Sequence, residues 1–496
     1  MMKLLETLIV CFFFLLYILI GIYYNRRSSL DRRNFYVASG KIGLPINTLA
    51  TFAAFASGGS FLGSIGVAYS ASISYIWAAI TGSVVGFIVA SILVAPYLGA
   101  MKLNSLVDFF KERYNNWKVI RLIGGLIIVV SFSLYLISQY KAAGITAEYL
   151  LGWDYVWTLL LVTLIFVIYT SMGGMWAITM TESVQAVLMF IFMILLPIIA
   201  AIKLGGPITM ISAAMENNPA WTALGAPVIT IIGFALVWTF TVSCFPHISM
   251  RIFASKSSDA AKKTLGYTGL LYGIFSLVGF LGVSAAALNL FPLGTDQALQ
   301  DADFAYIAVM EAYFPSILQG LAASAIFAAV MSSTSGILLA ISAAVSNDIW
   351  ATLFPSANDR TLIQVGRISI VLAGLIGAIL ALNPPALLVI LYSQATAMMT
   401  AGFFGPLVLG IWWKKANKYG ALANMIVGSG SFMILFAVGS LGIANIPTFL
   451  EFIIALPLGI IANLIVSNAT YKENSPDSTT NVELMNSIHE RAQTIA

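Results

Sequence analysis

Charged residues are scarce. Only 9% of the 496 residues are Asp, Glu, Lys or Arg, against 60% that are hydrophobic, whereas a water-soluble domain carries about 25% charge to cover its surface. That scarcity excludes an ordinary globular protein and makes lipid the solvent for most of the chain. Cysteine is rarer still. Cys11 and Cys244 lie far apart, each in an apolar stretch, which excludes a disulfide framework and offers no metal-ligand spacing. His247 and His489 are the only histidines, so no His/Cys/carboxylate cluster exists for catalysis, and no Gly-rich phosphate loop of the Walker type is present. Neither enzymatic chemistry nor direct coupling to ATP is expected, nor any cofactor; transport would have to draw on an ion gradient.

What the chain has instead is a succession of apolar stretches of about 20 residues, each long enough to cross ~30 Å of hydrocarbon. They lack period-2 alternation, which excludes a β-barrel. The first, Leu4 to Tyr24, is too long for a signal peptide, has no small-residue cleavage site and runs into Arg26 and Arg27, so it reads as a retained helix. About thirteen spans are expected, centred near residues 14, 57, 86, 130, 162, 190, 237, 276, 330, 374, 400, 430 and 457. Positive residues are retained on the cytoplasmic side. Arg26, Arg27, Arg32, Arg33 and Lys41 share one side with the loops Lys102 to Arg121, Arg251 to Lys263, Arg360 to Arg367 and Lys414 to Lys418, while only Lys3, Lys141 and Lys203 fall opposite. The opposite loop from Leu290 to Pro315 holds Asp296, Asp301, Asp303 and Glu311 without a basic residue. A multi-pass plasma-membrane protein with its N-terminus outside and its C-terminus inside is expected. The net charge of +4 is then a topology signal, and no nucleic-acid partner is called for.

Along the chain, the Asn289 to Pro315 segment is the longest loop, with an amphipathic helix expected around Phe304 to Tyr313. The polar tail from Lys472 to Ala496 is expected to be largely disordered, with a short helix near Val482 to Arg491. Two spans are compositionally odd. The second, LPINTLATFAAFASGGSFLGSIGVAYS, carries Gly58, Gly59, Gly63 and Gly66, and the seventh ends in Ser243, Pro246 and His247. Interrupted helices at corresponding places in two halves point to an inverted-repeat secondary transporter with its site at mid-membrane. Small residues that merely permit close helix packing are the competing explanation.

Four segments carry more than composition. IYTSMGGMWAITMTESVQ (Ile168 to Gln185), FAAVMSS (Phe327 to Ser333), FPHISMR (Phe245 to Arg251) and GPLVLGIWWKKANKYGA (Gly405 to Ala421) resemble successive motifs of the sodium/solute symporter family, over residues 41 to about 421. The family has Asp where Glu182 stands. The resemblance implies an all-α polytopic fold with a leucine-transporter-type five-plus-five inverted-repeat core at 38–418, preceded by an extra helix and basic inner loop at 1–37, and followed by two helices at 419–467 and the tail at 468–496. It implies a Na+ site made by Ala54, Ser57, Ala329, Ser332 and Ser333, with Thr181 and Glu182 linked to it. An Asp found at the place of Ala56 in some members is missing, which leaves the site neutral and makes proton coupling conceivable.

The expected function is Na+-coupled symport of a small organic solute by a monomer. Gly58, Gly59, Ser60, Ser64, Tyr135, Gln139, Trp238, Thr239 and Gln394 are the candidate solute contacts: a small, mostly neutral set in which backbone N–H groups at the broken span could hold a carboxylate. The segments SFLGS and NPP resemble the pantothenate and monocarboxylate branches, so an organic anion is favoured and proline stands second. A channel or a sensor on the same fold is the alternative from another class, but no filter, charged ring or output domain is visible.

Overall fold

In the computed structural model, which describes residues 4–101, 103–383, 388–473 and 475–494, nearly every apolar stretch is helical. Without water in the hydrocarbon, each N–H and C=O has to be satisfied within its own segment. The helices that build the fold are α1 (Leu4–Ser28), α2 (Leu44–Phe55), α3 (Gly59–Ser70), α4 (Ile73–Leu93), α5 (Lys118–Thr146), α6 (Tyr155–Lys203), α7 (Val228–Cys244), α8 (Pro246–Ala254) and α9 (Ser258–Leu290). They continue with α10 (Ala305–Tyr313), α11 (Ser316–Leu353), α12 (Asp359–Leu380), α13 (Leu388–Trp412), α14 (Lys418–Ser440), α15 (Leu450–Thr470) and α16 (Pro476–Thr494). Side-chain caps set several starts: Asp154 accepts from the N–H groups of Val156 and Trp157, Asn358 from Thr361, and Asn417 from Tyr419 and Gly420.

Among the described residues eleven helices are long and apolar enough to cross a membrane, α7 and α8 taken together, and twelve when the bent pair α2 and α3 counts as one span. Within α6, 49 residues at 1.5 Å each would reach about 73 Å, more than twice the hydrocarbon thickness. Gly174, at φ +50° and ψ −156°, breaks α6 into two passes, which brings the number to the expected thirteen. An L side chain there would be strained, and its Cβ would meet the Phe35 carbonyl. Leu15, Leu19, Ile22, Ile368 and Ile434 lie exposed on the periphery, where lipid is the neighbour. By contrast the most apolar stretch of α11 is wholly buried, so α11 is the central post of the bundle.

The first helix of each repeat is interrupted. α2 and α3 meet at 59° across Ala56 to Gly58, and α7 gives way to α8 at Phe245, whose ψ of 111° leaves the helical region just before Pro246. At the face carrying the basic loops the two repeats are stitched together. Ile42 N–H donates to Ala254 O (3.0 Å), and the Asn47 carboxamide donates to Arg251 O and Ser255 Oγ (both 2.9 Å). On the opposite, acidic face α10 forms over Ala305–Tyr313 as expected, although its residues from Ala305 to Met310 are buried.

The tail departs from expectation. The short helix expected near Val482 to Arg491 is there, but as part of a longer one, α16 over Pro476–Thr494, instead of in a largely disordered segment. Met485, Ile488 and Ala492 are buried, His489 Nε2–H donates to Ile411 O (2.8 Å), and its ring meets Tyr97 and Trp412. Low mean hydropathy argued for disorder, but three apolar residues at one-turn spacing suffice when a groove awaits them. Lys3, Lys102, Pro384, Pro385 and Ala496, which entered the sequence reading, lie outside the described residues.

Candidate functional site

The site begins with the carbonyls released where α2 ends. The last regular bond of α2 is Ala56 N–H to Phe52 O (2.8 Å), and Gly58 N–H turns away to the Gln139 Oε1 (3.3 Å). The carbonyls of Ala53 and Ala54 instead accept from α11: Ser332 Oγ–H reaches Ala53 O at 2.7 Å and Ser333 Oγ–H reaches Ala54 O at 3.1 Å. Ser332 Oγ also lies 3.0 Å from Ala329 O, one turn back on its own helix. All five residues are at most 1% exposed. Two hydroxyls and three carbonyls thus converge across one helix-to-helix contact, an all-oxygen donor set without formal charge that suits a hard cation.

Of the five residues expected to hold Na+, Ala54, Ala329, Ser332 and Ser333 come together here. Ser57 sits at the same break, but its carbonyl accepts from Ser60 N–H (2.8 Å) and Phe61 N–H (3.3 Å), opening the second half-helix. Ala53, whose carbonyl joins this cluster of oxygens, was not singled out in sequence. A one-residue shift along α2 changes which carbonyl faces α11, and nothing in the motif fixes that phase.

Beside the break lies a cluster of aromatic rings. A Cβ on Gly59 would run into the Tyr392 ring, so only glycine lets that ring cover the broken helix. Tyr392 stacks on Tyr135 (centroids 5.2 Å apart, 20° between planes) and meets Trp238 at 5.5 Å. Phe55 joins Trp238 at 5.5 Å and Tyr272 at 4.8 Å, and Tyr135 stacks on Phe245 at 6.1 Å. The polar groups at hand are neutral: Ser60 Oγ stands 3.4 Å from the Tyr272 hydroxyl, and Gln139 holds Gly58. Ser64 is buried farther along α3.

Two candidates fall elsewhere. Thr239 Oγ1–H donates back to Ala235 O (2.9 Å) and faces Gly82 O of α4 (3.4 Å), the bond typical of a hydroxyl inside a helix. Gln394 lines an apolar groove between α5, α13 and α14 with Leu134, Met398 and Phe432. Conversely, Phe55 and Tyr272 belong to the ring cluster and were not singled out in sequence, because an aromatic in an apolar span looks like ordinary core; Phe245, read only as part of the FPHISMR motif, joins them.

Thr181 Oγ1–H bonds back to Ala177 O and Ile178 O (3.0 and 2.9 Å). Glu182 is fully buried and accepts from Arg251 of α8, whose other amino group lies 2.7 Å from Thr179 Oγ1. The carboxylate of IYTSMGGMWAITMTESVQ and the guanidinium of FPHISMR, two motifs read separately in sequence, are therefore one ion pair.

The geometry has counterparts. The profile described as the sodium:solute symporter family matches residues 35–428. The osmoregulated proline transporter OpuE of Bacillus subtilis is 30% identical over 471 residues, 92% of this chain and 93% of that protein. A sodium/proline symporter 2 of Staphylococcus saprophyticus is 30% identical over 85% of this chain and 84% of its own length. Among solved structures, a Na+-coupled sialic acid symporter superposes with a TM-score of 0.78 at 20% identity, covering 95% of this chain and 99% of that one. A nucleobase-cation-symport-1 family transporter in a closed conformation follows with a TM-score of 0.55 at 15% identity, over 91% and 98% of the two chains. The fold is that of the leucine-transporter type, with helices interrupted at α2/α3 and α7/α8. With its fold, its motifs and these relatives in agreement, the chain belongs to the sodium:solute symporter family, whose members are membrane transporters with Na+ as coupling ion and not enzymes.

Proposed function

We propose that this protein takes up a small carboxylate-bearing solute by Na+ symport, with Na+ held by the carbonyls of Ala54, Ser57 and Ala329 and the hydroxyls of Ser332 and Ser333, and with Ala53 added to that set. The observation that carries the reading is the pair of α11 hydroxyls resting on the two carbonyls freed by the break in α2. A cation entering there replaces hydroxyl-to-carbonyl bonds and ties α2 to α11. The ion then favours one arrangement of the two repeats, and solute and ion raise each other's affinity by the same factor.

For the solute, the start of α3 supplies the positive end of a helix to a carboxylate. Tyr135, Trp238, Tyr272 and Tyr392 offer ring faces to an apolar or cationic body. L-proline fits that description and is named for the relatives, so it is the first compound to test. Simple monocarboxylates are the second reading, favoured by the neutral side chains around Gly58 and Gly59. Gly58, Gly59, Ser60, Ser64, Tyr135, Gln139 and Trp238 stay in the proposed solute site, and Thr239 and Gln394 leave it. Thr181 and Glu182 are assigned to the release side, where Glu182 with Arg251 holds the second pass of α6 against α8. The basic face is taken as cytoplasmic, with the N-terminus outside, in a monomer whose transport core spans 38–418.

Uptake of labelled L-proline, pyruvate, acetate and pantothenate into proteoliposomes under an inward Na+ gradient decides among the solutes. Accumulation of proline, competed by neither pyruvate nor acetate, supports the first reading, and the reverse pattern supports the second. No accumulation of any of the four removes both.

A further inference from the structure

On the acidic face, a buried carboxylate joins three elements that have to separate if this side is to open. Asp303 stands in the loop before α10, fully buried. Its Oδ2 lies 3.3 Å from Lys141 Nζ of α5 and accepts from Leu388 N–H (3.4 Å), the first residue of α13. Its own N–H is fixed by Asp301 Oδ1 at 3.0 Å. The loop presses on the outer half of the broken helix: a Cβ on Gly66 would lie 2.8 Å from Ala302 O, and Tyr69 ties the same loop through Phe291 O (2.7 Å) and Leu299 N–H (3.1 Å). Gly63 of α3 packs against Leu388 and Val389. One turn beyond Leu388 comes Tyr392, the ring that covers Gly59.

A single carboxylate therefore fixes the start of α13, through it the ring over the proposed solute site, and the outer end of α5. A burial this complete is tolerated for a charge only with a partner of opposite sign, so Lys141 and Asp303 are held or released together.

We propose that Lys141 and Asp303 form a charge latch on the outer side, whose release frees the first turns of α13 and moves Tyr392 off the broken helix to admit solute. They are positioning residues and do not touch solute. The inference takes the acidic face as outer, as proposed above, and does not depend on which solute is carried.

The test reads opening directly. In a Cys11→Ser, Cys244→Ala background, Val389→Cys places a thiol beneath the latch at a position that is 1% exposed. A membrane-impermeant maleimide is added outside right-side-out vesicles. Loss of a charge-assisted bond shifts the equilibrium by roughly tenfold, so Asp303→Asn and Lys141→Gln are expected to label about tenfold faster than the parent and Lys141→Arg close to the parent rate. The double variant is expected to label no faster than either single one. Labelling at the parent rate in both single variants, or additive acceleration in the double variant, would overturn the latch. If Asp303→Asn does not reach the membrane, the contrast between Lys141→Gln and Lys141→Arg decides alone. Since no solute is present, failure here is distinct from failure of the proline reading.

Discussion

Replacing Ser333 by Ala removes one oxygen from the proposed ion site and little else. In the folded protein Ser333 Oγ makes one bond, to Ala54 O at 3.1 Å, in surroundings that are fully buried. Its loss costs about 1 kcal/mol as a neutral hydrogen bond, too little to unfold a bundle of this size. For a bound cation the same oxygen is a ligand, and interactions with a charged partner are worth about 1.5–3 kcal/mol. The Na+ concentration for half-maximal uptake is therefore expected to rise by roughly 10- to 150-fold, at 1.4 kcal/mol per factor of ten. Because coupling is reciprocal, apparent solute affinity falls by a similar factor at limiting Na+ and recovers at saturating Na+. Initial rates of solute uptake into proteoliposomes across a Na+ series, for parent and variant at matched protein, measure both quantities. An unchanged Na+ half-saturation with a lowered maximal rate would refute the assignment, since it would show that Ser333 serves packing and not the ion.

Gly59→Ala puts a methyl group into the Tyr392 ring. Overpacking of this kind costs about 1–3 kcal/mol, and initial uptake is expected to fall by tenfold or more while purified yield stays near parent. Glu182→Ala leaves the buried Arg251 without its carboxylate; breaking such a pair costs about 3–5 kcal/mol, which a fall in thermal midpoint in detergent would reveal, and Glu182→Asp is expected to recover part of the loss. Lys418 donates to Asp477 at 2.6 Å, and that bond holds the Asp477 carboxyl below its ordinary range. A depressed pKa contributes docking stability above the ordinary Asp pKa that is lost as pH falls through the depressed value. Protease cleavage of α16 should thus be slow at neutral pH and faster in acid, and in Asp477→Asn it should be fast at both.

Much of the architecture was legible because lipid leaves the chain few choices. Length and hydropathy located the spans, and Gly58-Gly59 and Ser243-Pro246 marked both interruptions, since freed carbonyls at that depth need a protein or ion partner. The hydroxyl pair at Ser332 and Ser333 was legible only through the resemblance of FAAVMSS to a motif of the family. Which way each helix turns was not. Thr239 faces Gly82 and Gln394 faces a lateral groove, while Tyr272 and Phe55 face the break, because the spans are apolar all round and carry no moment to set their phase. The pairing of Glu182 with Arg251 was likewise out of reach, since it joins motifs 69 residues apart, and so was the docking of α16, which depends on a groove formed by Tyr97, Ile411 and Trp412.

The central claim, that Na+ drives solute accumulation through the site between α2 and α11, is tested most directly by loading proteoliposomes and imposing an inward Na+ gradient, an inward proton gradient, or neither, with labelled L-proline outside. The account predicts accumulation above equilibrium with the Na+ gradient alone, lost in Ser332→Ala/Ser333→Ala. Accumulation driven only by protons, or equal uptake with no gradient, would contradict it.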